Sequence, residues 1–166
     1  NGGGLLDQAI KVSNYYLSKG TEIVATKGRT PDQERISYAT DDPLVPKVPL
    51  VVLVNEGSAS ASEIVAGAIQ DSDRGVLIGN TTFGKGLVKQ IYQLTEGAAL
   101  KLTTAKYYVP SGRCIQKDIR STRHPEDLAG SDTVKIDSTK LEVFHTKAGR
   151  KVYAGGGITP DIVVNP

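Results

Sequence analysis

A chain of 166 residues with 39% hydrophobic and 23% charged side chains has the size and make-up of one globular domain. Its net charge of +2 calls for neither nucleic acid nor an acidic surface as partner. One cysteine, Cys114, excludes an internal disulfide, and no apolar run nears the ~20 residues that cross a bilayer as a helix.

The chain opens on Asn1-Gly2-Gly3-Gly4, contains no methionine and has no stretch that reads as a signal peptide, so it is expected to be a fragment of a longer protein. From Leu5 to Lys19, Leu6, Ile10 and Leu17, with Leu5, Ala9 and Tyr16 beside them, keep helical spacing, and Gly20 supplies a stop. Thr21 to Thr26 alternates as a strand does. Lys27 to Asp42 is polar and reads as a loop or an exposed hairpin. Pro49 to Val54 is a continuous apolar run of the kind buried on both faces of a sheet, broken by Asn55-Glu56-Gly57. A second helix is expected from about Ser60 to Gln70, with Ile64, Val65, Ala68 and Ile69 inward. Short buried strand Gly75 to Gly79 follows, then Gly84-Lys85-Gly86, a strand near Leu87 to Leu94, a turn at Thr95-Glu96-Gly97 and a longer strand from Ala99 to Val109. This order predicts an α/β core with crossover connections. Residues 115–140 are polar and charged and read as a surface excursion. Leu141 to His145 and Lys151 to Tyr153 resemble a hairpin, and Gly155-Gly156-Gly157 feeds a last strand through Ile162 to Val164.

Two stretches carry chemistry. In Asn55-Glu56-Gly57-Ser58-Ala59-Ser60-Ala61-Ser62-Glu63-Ile64 a strand runs through tiny residues straight into a helix. A nucleophile exposed there meets free N–H groups and the positive end of the helix dipole, which stabilise an oxyanion. The alternative is plain capping: Ser60 and Glu63 fit a capping box. In Gly79-Asn80-Thr81-Thr82-Phe83-Gly84-Lys85-Gly86 a phosphate-binding loop is nearly spelled, but Gly86 stands where a magnesium-binding hydroxyl belongs and no helix pattern follows Lys85.

Taken together, the Ser-Ala-Ser-Ala-Ser-Glu-Ile run and the Thr-Phe-Gly-Lys-Gly run resemble the C-terminal processing peptidases, or tail-specific proteases. In that family nucleophile and base stand 25 residues apart, which selects Ser60 with Lys85 over Ser58 or Ser62. The likeness includes the Asn1 to Gly4 opening, Thr103 to Gly112 with Tyr107 and Tyr108, and Gly157-Ile158-Thr159-Pro160-Asp161-Ile162. It implies an α/β fold of the ClpP/crotonase kind, a mixed sheet with helices, acting as a serine endopeptidase near protein C-termini without metal or other cofactor. It implies Ser60 as nucleophile, Lys85 as general base, and oxyanion donors from the backbone of Ala61 and Gly3. It implies further a PDZ domain before Asn1 in the same protein, protein substrates with free C-termini as partners, and a periplasmic or otherwise extracytoplasmic setting. The rival readings are a non-catalytic binding module of the same fold and a Ser-Lys esterase.

A lysine accepts a proton only as the free amine, whereas its reference pKa lies at about 10.4. Burial or a nearby positive charge lowers that value, so Lys85 is expected to be substantially buried in the assembled enzyme, beside Phe83 and glycines, with its amine aimed at Ser60. Where the family usually carries an orienting glutamine this chain has Lys89, with Gln90 next. On a straight strand Lys85 and Lys89 would lie about 13 Å apart at ~3.3 Å per residue, so contact needs a bend near Gly86 or a bulge that brings in Gln90. Asp71 is either a supporting aspartate or an acid that closes the helix at Ser72-Asp73. His124 and His145 lack any flanking triad signature, and Cys114 reads as a packing residue. Arg113, Lys117, Arg120 and Arg123 form a basic cluster with no interleaved aromatics, which reads as solvated surface.

Overall fold

The computed structural model describes residues 1–117 and 142–164; His124, Arg120, Arg123 and residues 118–140 of the predicted excursion lie outside them. Helix α1 (Leu6–Asn14) turns Ala9 and Ser13 inward and carries Asp7 in its first turn and Lys11 in its last, each sign matching the helix dipole. It ends five residues before Lys19, the predicted last residue of the helix. Tyr15 and Tyr16 bond back three residues, to Val12 and Ser13, and this tightening drives Leu17 into the core.

Strand β1 (Glu22–Gly28) pairs antiparallel with β2 (Arg35–Tyr38). The polar Lys27 to Asp42 stretch is therefore the hairpin of the two alternatives. On its other edge β1 pairs with the long strand β6 (Ala99–Tyr108), which pairs in turn with β5 (Leu87–Gln93), giving the antiparallel order β2-β1-β6-β5. A second sheet is parallel. Strand β3 (Val51–Val54) lies beside β4 (Val76–Gly79), and β4 beside β9 (Ile162–Val163). A separate hairpin joins β7 (Val143–His145) to β8 (Lys151–Tyr153).

Between the two sheets runs helix α2 (Ala61–Asp71). Its Ala61, Ile64 and Ala68 pack with Ala9, Leu17, Ile23 and Val24 of the α1/β1 side. Ala66 and Ile69 pack with Val54, Leu77, Val109, Ile115 and Ile158 on the other. A helix apolar on both flanks is one that is buried, which accounts for its lack of a polar stripe. Gly67 permits this closeness: a β-carbon there would stand 2.5 Å from Val109.

The apolar run of β3 departs from expectation. Only one face is covered, by α2; Val51 is 53% and Leu53 78% exposed. Val76 of the neighbouring β4 is exposed on the same side. Alternation about an all-apolar run is invisible in sequence, because both faces carry the same residue type. Among the described residues no helix is long and apolar enough to cross a membrane.

Candidate active site

Strand β3 ends at Val54, and six residues later the chain enters α2 through Ser60. The backbone there has φ 57° and ψ −118°, a conformation that a residue with a β-carbon adopts only at a cost of about 1–3 kcal/mol. Such a sharp strand-to-helix turn raises the hydroxyl of its central residue above the end of the sheet. The three serines of the run are not equivalent. Ser58 is buried and its hydroxyl accepts the Asn55 N–H at 3.1 Å. Ser60 is half-buried, and its hydroxyl makes no cap hydrogen bond. The amide of Glu63 bonds instead to the Ser60 carbonyl at 2.9 Å. The reciprocal half of the capping box is in place, Glu63 receiving the Ser60 N–H at 2.8 Å.

Glu63 joins the two motifs. It is fully buried, and its carboxylate accepts four hydrogen bonds. Oε2 takes the backbone N–H of Ser60 and of Lys85, each at 2.8 Å. Oε1 takes the Thr82 hydroxyl at 2.5 Å and the Gly84 N–H at 2.7 Å. Four donors fill the lone-pair sites a carboxylate offers, which is what allows a charge to stay buried. Sharing Oε2 means that the amide nitrogens of Ser60 and Lys85 lie no farther apart than twice 2.8 Å. Phe83 adds a further tie, donating its N–H to the Ser58 carbonyl at 2.9 Å. Sequence reasoning reached Glu63 only as a helix cap, because the donors from Thr82, Gly84 and Lys85 come from about twenty residues away. The recurrence of a glutamate three places after the serine was the one available signal.

Lys85 has a fixed backbone and an open side chain. Burial alternates from Thr82 to Gly86: Thr82, Gly84 and Gly86 face in, Phe83 and Lys85 face out. The glycines are needed on the inner side, since a β-carbon would stand 2.8 Å from Lys117 at Gly84 and 2.7 Å from the Gln116 backbone at Gly86. The expected burial of Lys85 belongs to the assembled enzyme; within the described residues Lys85 is exposed and Phe83 is 59% exposed. Strand pleat, not hydrophobicity, decides which way they point. No ion pair joins Lys85 to any described residue.

Gly3 stands against the serine turn. With φ at +93°, its position leaves no room for a side chain: a β-carbon would lie 2.5 Å from the Ala59 carbonyl oxygen and 2.9 Å from the Ser60 β-carbon. The Asn1 carbonyl accepts the Ala59 N–H at 3.1 Å, while the Gly3 N–H donates to Asn1 Oδ1 at 3.0 Å. Ala61 is the first residue of α2, where an amide has no partner within the helix.

The remaining predicted residues lie elsewhere. Lys89 is exposed on β5 opposite Thr103, directly after a register shift between Val88 and Lys89. That shift is a bulge of the kind considered, but Gln90 bonds to Tyr92 rather than turning to Lys85. Asp71 closes α2 at the end away from Ser60, about 16 Å along an eleven-residue helix. Its carboxylate pairs with Arg113 at 2.8 Å and accepts the Ser111 N–H at 3.0 Å, so it meets neither Ser60 nor Lys85, nor the Ser72-Asp73 turn. Arg113 is correspondingly fully buried, which corrects its reading as solvated surface. Burial presses its pKa down while Asp71 opposes the fall. His145 is exposed on β7 and lines a groove with Asp71 and Ser111, and Cys114 is half-buried.

Comparison with known proteins adds the lineage. Residues 1–124 match the family described as Peptidase family S41. A carboxy-terminal-processing protease of Bartonella bacilliformis is 54% identical over 116 residues, covering 70% of this chain and 26% of that protein. A carboxyl-terminal-processing protease of Synechocystis is 45% identical over 117 residues, covering 70% and 27%. Among solved structures, a photosystem II D1 C-terminal processing protease superposes on all of this chain with a TM-score of 0.71 and 30% identity, and the chain covers 33% of it. The chain thus spans roughly a quarter to a third of the length of these relatives.

Proposed function

The chain belongs to peptidase family S41, and from that premise we propose that it carries the catalytic core of a serine endopeptidase that cleaves proteins near their C-termini, with Ser60 as nucleophile and Lys85 as general base. The observation that carries this reading is the strained Ser60 whose backbone shares one carboxylate oxygen with that of Lys85. Strain at a non-glycine residue persists only where the surroundings impose it, and such positions gather at active sites.

Ser60 Oγ attacks the scissile carbonyl carbon while its proton passes to the neutral Lys85 amine. The C–N bond then breaks, Lys85 returns the proton to the leaving amine, and an acyl ester remains on Ser60. Water, deprotonated by Lys85, attacks that ester; the bond from the acyl carbon to Ser60 Oγ breaks, Oγ takes the proton back from Lys85, and the acid product leaves. The backbone N–H groups of Ala61 and Gly3 receive the oxyanion in this scheme. Supporting Gly3 is its contact with Ser60; its N–H must leave Asn1 Oδ1 to take part. In this reading the substrate laid over the exposed Lys85, or the rest of the assembled enzyme, excludes water from the amine. Lys89, four residues after the base in sequence, and Asp71, as a brace for the far end of α2, are auxiliary roles in the same reading. Protein substrates with free C-termini, a PDZ domain in the same polypeptide and an extracytoplasmic setting belong to it as well, resting on the family resemblance.

The test is the full-length protein assayed on an unfolded polypeptide with a free C-terminus. Ser60→Ala and Lys85→Ala should each lower turnover by at least about a thousand-fold, and a fluorophosphonate should label the parent protein but not Ser60→Ala. Undiminished cleavage by Ser60→Ala would exclude the reading. Hydrolysis of esters with peptides untouched would make the protein an esterase instead.

A further inference from the structure

Thr82 lies between the Glu63 carboxylate and a segment from the far end of the chain. Its hydroxyl oxygen accepts the Ile158 N–H at 2.7 Å and stands 2.5 Å from Glu63 Oε1. An amide N–H can only donate, so the threonine proton must lie on the Glu63 side. The short distance marks a strong O–H···O bond to the carboxylate oxygen. The Thr82 backbone is held as well, its N–H donating to the Ile158 carbonyl at 3.1 Å. Gly157 completes the seat. At φ +88°, it brings its backbone so close that a β-carbon would lie 2.6 Å from the Thr82 carbonyl and 2.9 Å from Thr82 Oγ1. Thr82 is buried, and both hydrogen-bonding capacities of its hydroxyl are spent.

We infer that Thr82 is a positioning residue: its hydroxyl, oriented by the Ile158 N–H, fixes the Glu63 carboxylate that in turn sets Ser60 relative to Lys85. This rests on the proposed dyad and adds to it. The Gly157-Ile158 segment, remote in sequence from both motifs, thereby becomes a part of the catalytic frame. Thr82 touches neither substrate nor reacting atoms in this scheme. Its influence runs through Oε1, whose other donor is the Gly84 N–H immediately before Lys85.

The experiment compares Thr82→Val and Thr82→Ser in the full-length protein, with rates expressed per fluorophosphonate-titrated site so that any unfolded fraction drops out. Valine keeps the shape but leaves the Ile158 N–H and Glu63 Oε1 facing a methyl; serine keeps the hydroxyl. The expected result is a fall in kcat of about ten-fold or more for Thr82→Val, with KM within about two-fold, and recovery of most of kcat in Thr82→Ser. If Thr82→Val is not recovered folded, Thr82→Ala serves in its place, because it adds no carbon where the hydroxyl was. Normal kcat per site in the hydroxyl-free variant, or equal losses with and without the hydroxyl, overturns the inference. Ser60→Ala is run alongside: if it remains active the dyad itself falls, whereas an inactive Ser60→Ala with an unimpaired Thr82→Val removes only the role of Thr82.

Discussion

At Ser60 the requirements of stability and of chemistry oppose one another. A glycine would occupy φ 57°, ψ −118° without the steric penalty a β-carbon incurs. Ser60→Gly is therefore expected to hold or raise stability, by up to about 1 kcal/mol, while abolishing turnover; Ser60→Ala should abolish turnover with no such gain. Urea unfolding of the two variants side by side checks this, and a Ser60→Gly protein clearly weaker than Ser60→Ala would remove strain from the account. Ser60 was singled out by the 25-residue spacing to Lys85 that the family resemblance supplies; the tiny residues and helix start, read locally, fit a plain N-cap as well. Its backbone angle was not legible, since it depends on contacts with Gly3 and Glu63. Lys85 was likewise reached through the motif, and its outward direction was hidden because the inward glycines beside it reveal their packing partners only in three dimensions.

Among the elements, α2 is fastened at both ends by buried carboxylates. Glu63 near its start receives backbone donors, and Asp71 at its end receives the Arg113 guanidinium, which also donates to Gln70 Oε1 and the Tyr153 carbonyl. Removing one partner of a fully buried pair strands the other, at a cost of about 3–5 kcal/mol. Arg113→Ala should accordingly lower unfolding free energy by that order, and replacing both members, with Arg113→Met and Asp71→Leu, should recover much of the loss. Denaturant titration of the single and double variants measures it; equal stability of Arg113→Ala and the parent would contradict the ion pair's role. Helices and strands themselves were largely readable, as α2 and β5 differ from expectation by a residue or so at their ends. Hidden from local pattern was partnership: Arg113 sits among polar neighbours in sequence, and its acid is 42 residues away.

Across the whole molecule the C-terminal segments are held by charge. Arg150 pairs with Asp73 and Asp161, and Asp161 accepts the Gln70 side-chain amide and the Leu77 N–H. Burial tends to raise the Asp73 pKa, but hydrogen bonds from Arg150, Ala148 and Thr146 outweigh it and hold the carboxyl below its ordinary range. The unfolded chain, with an aspartate pKa of about 3.9, then binds protons more readily than the folded one. The stabilisation is complete above that value and is lost as pH falls through the lower folded one. Melting temperature should drop steeply below about pH 4, and the drop should be shallower in Asp73→Asn; identical slopes would exclude Asp73 as the source. Shared ownership of one Glu63 oxygen has a final consequence for how such a machine could be switched. With the main chains of Ser60 and Lys85, the proposed nucleophile and base, riveted to the same atom, neither loop shifts alone without tearing the rivet. What stays free within the described residues is the lysine's own four-carbon arm, exposed to water and able to swing on a timescale of picoseconds to nanoseconds, so the proposed dyad would form only where that arm is pinned.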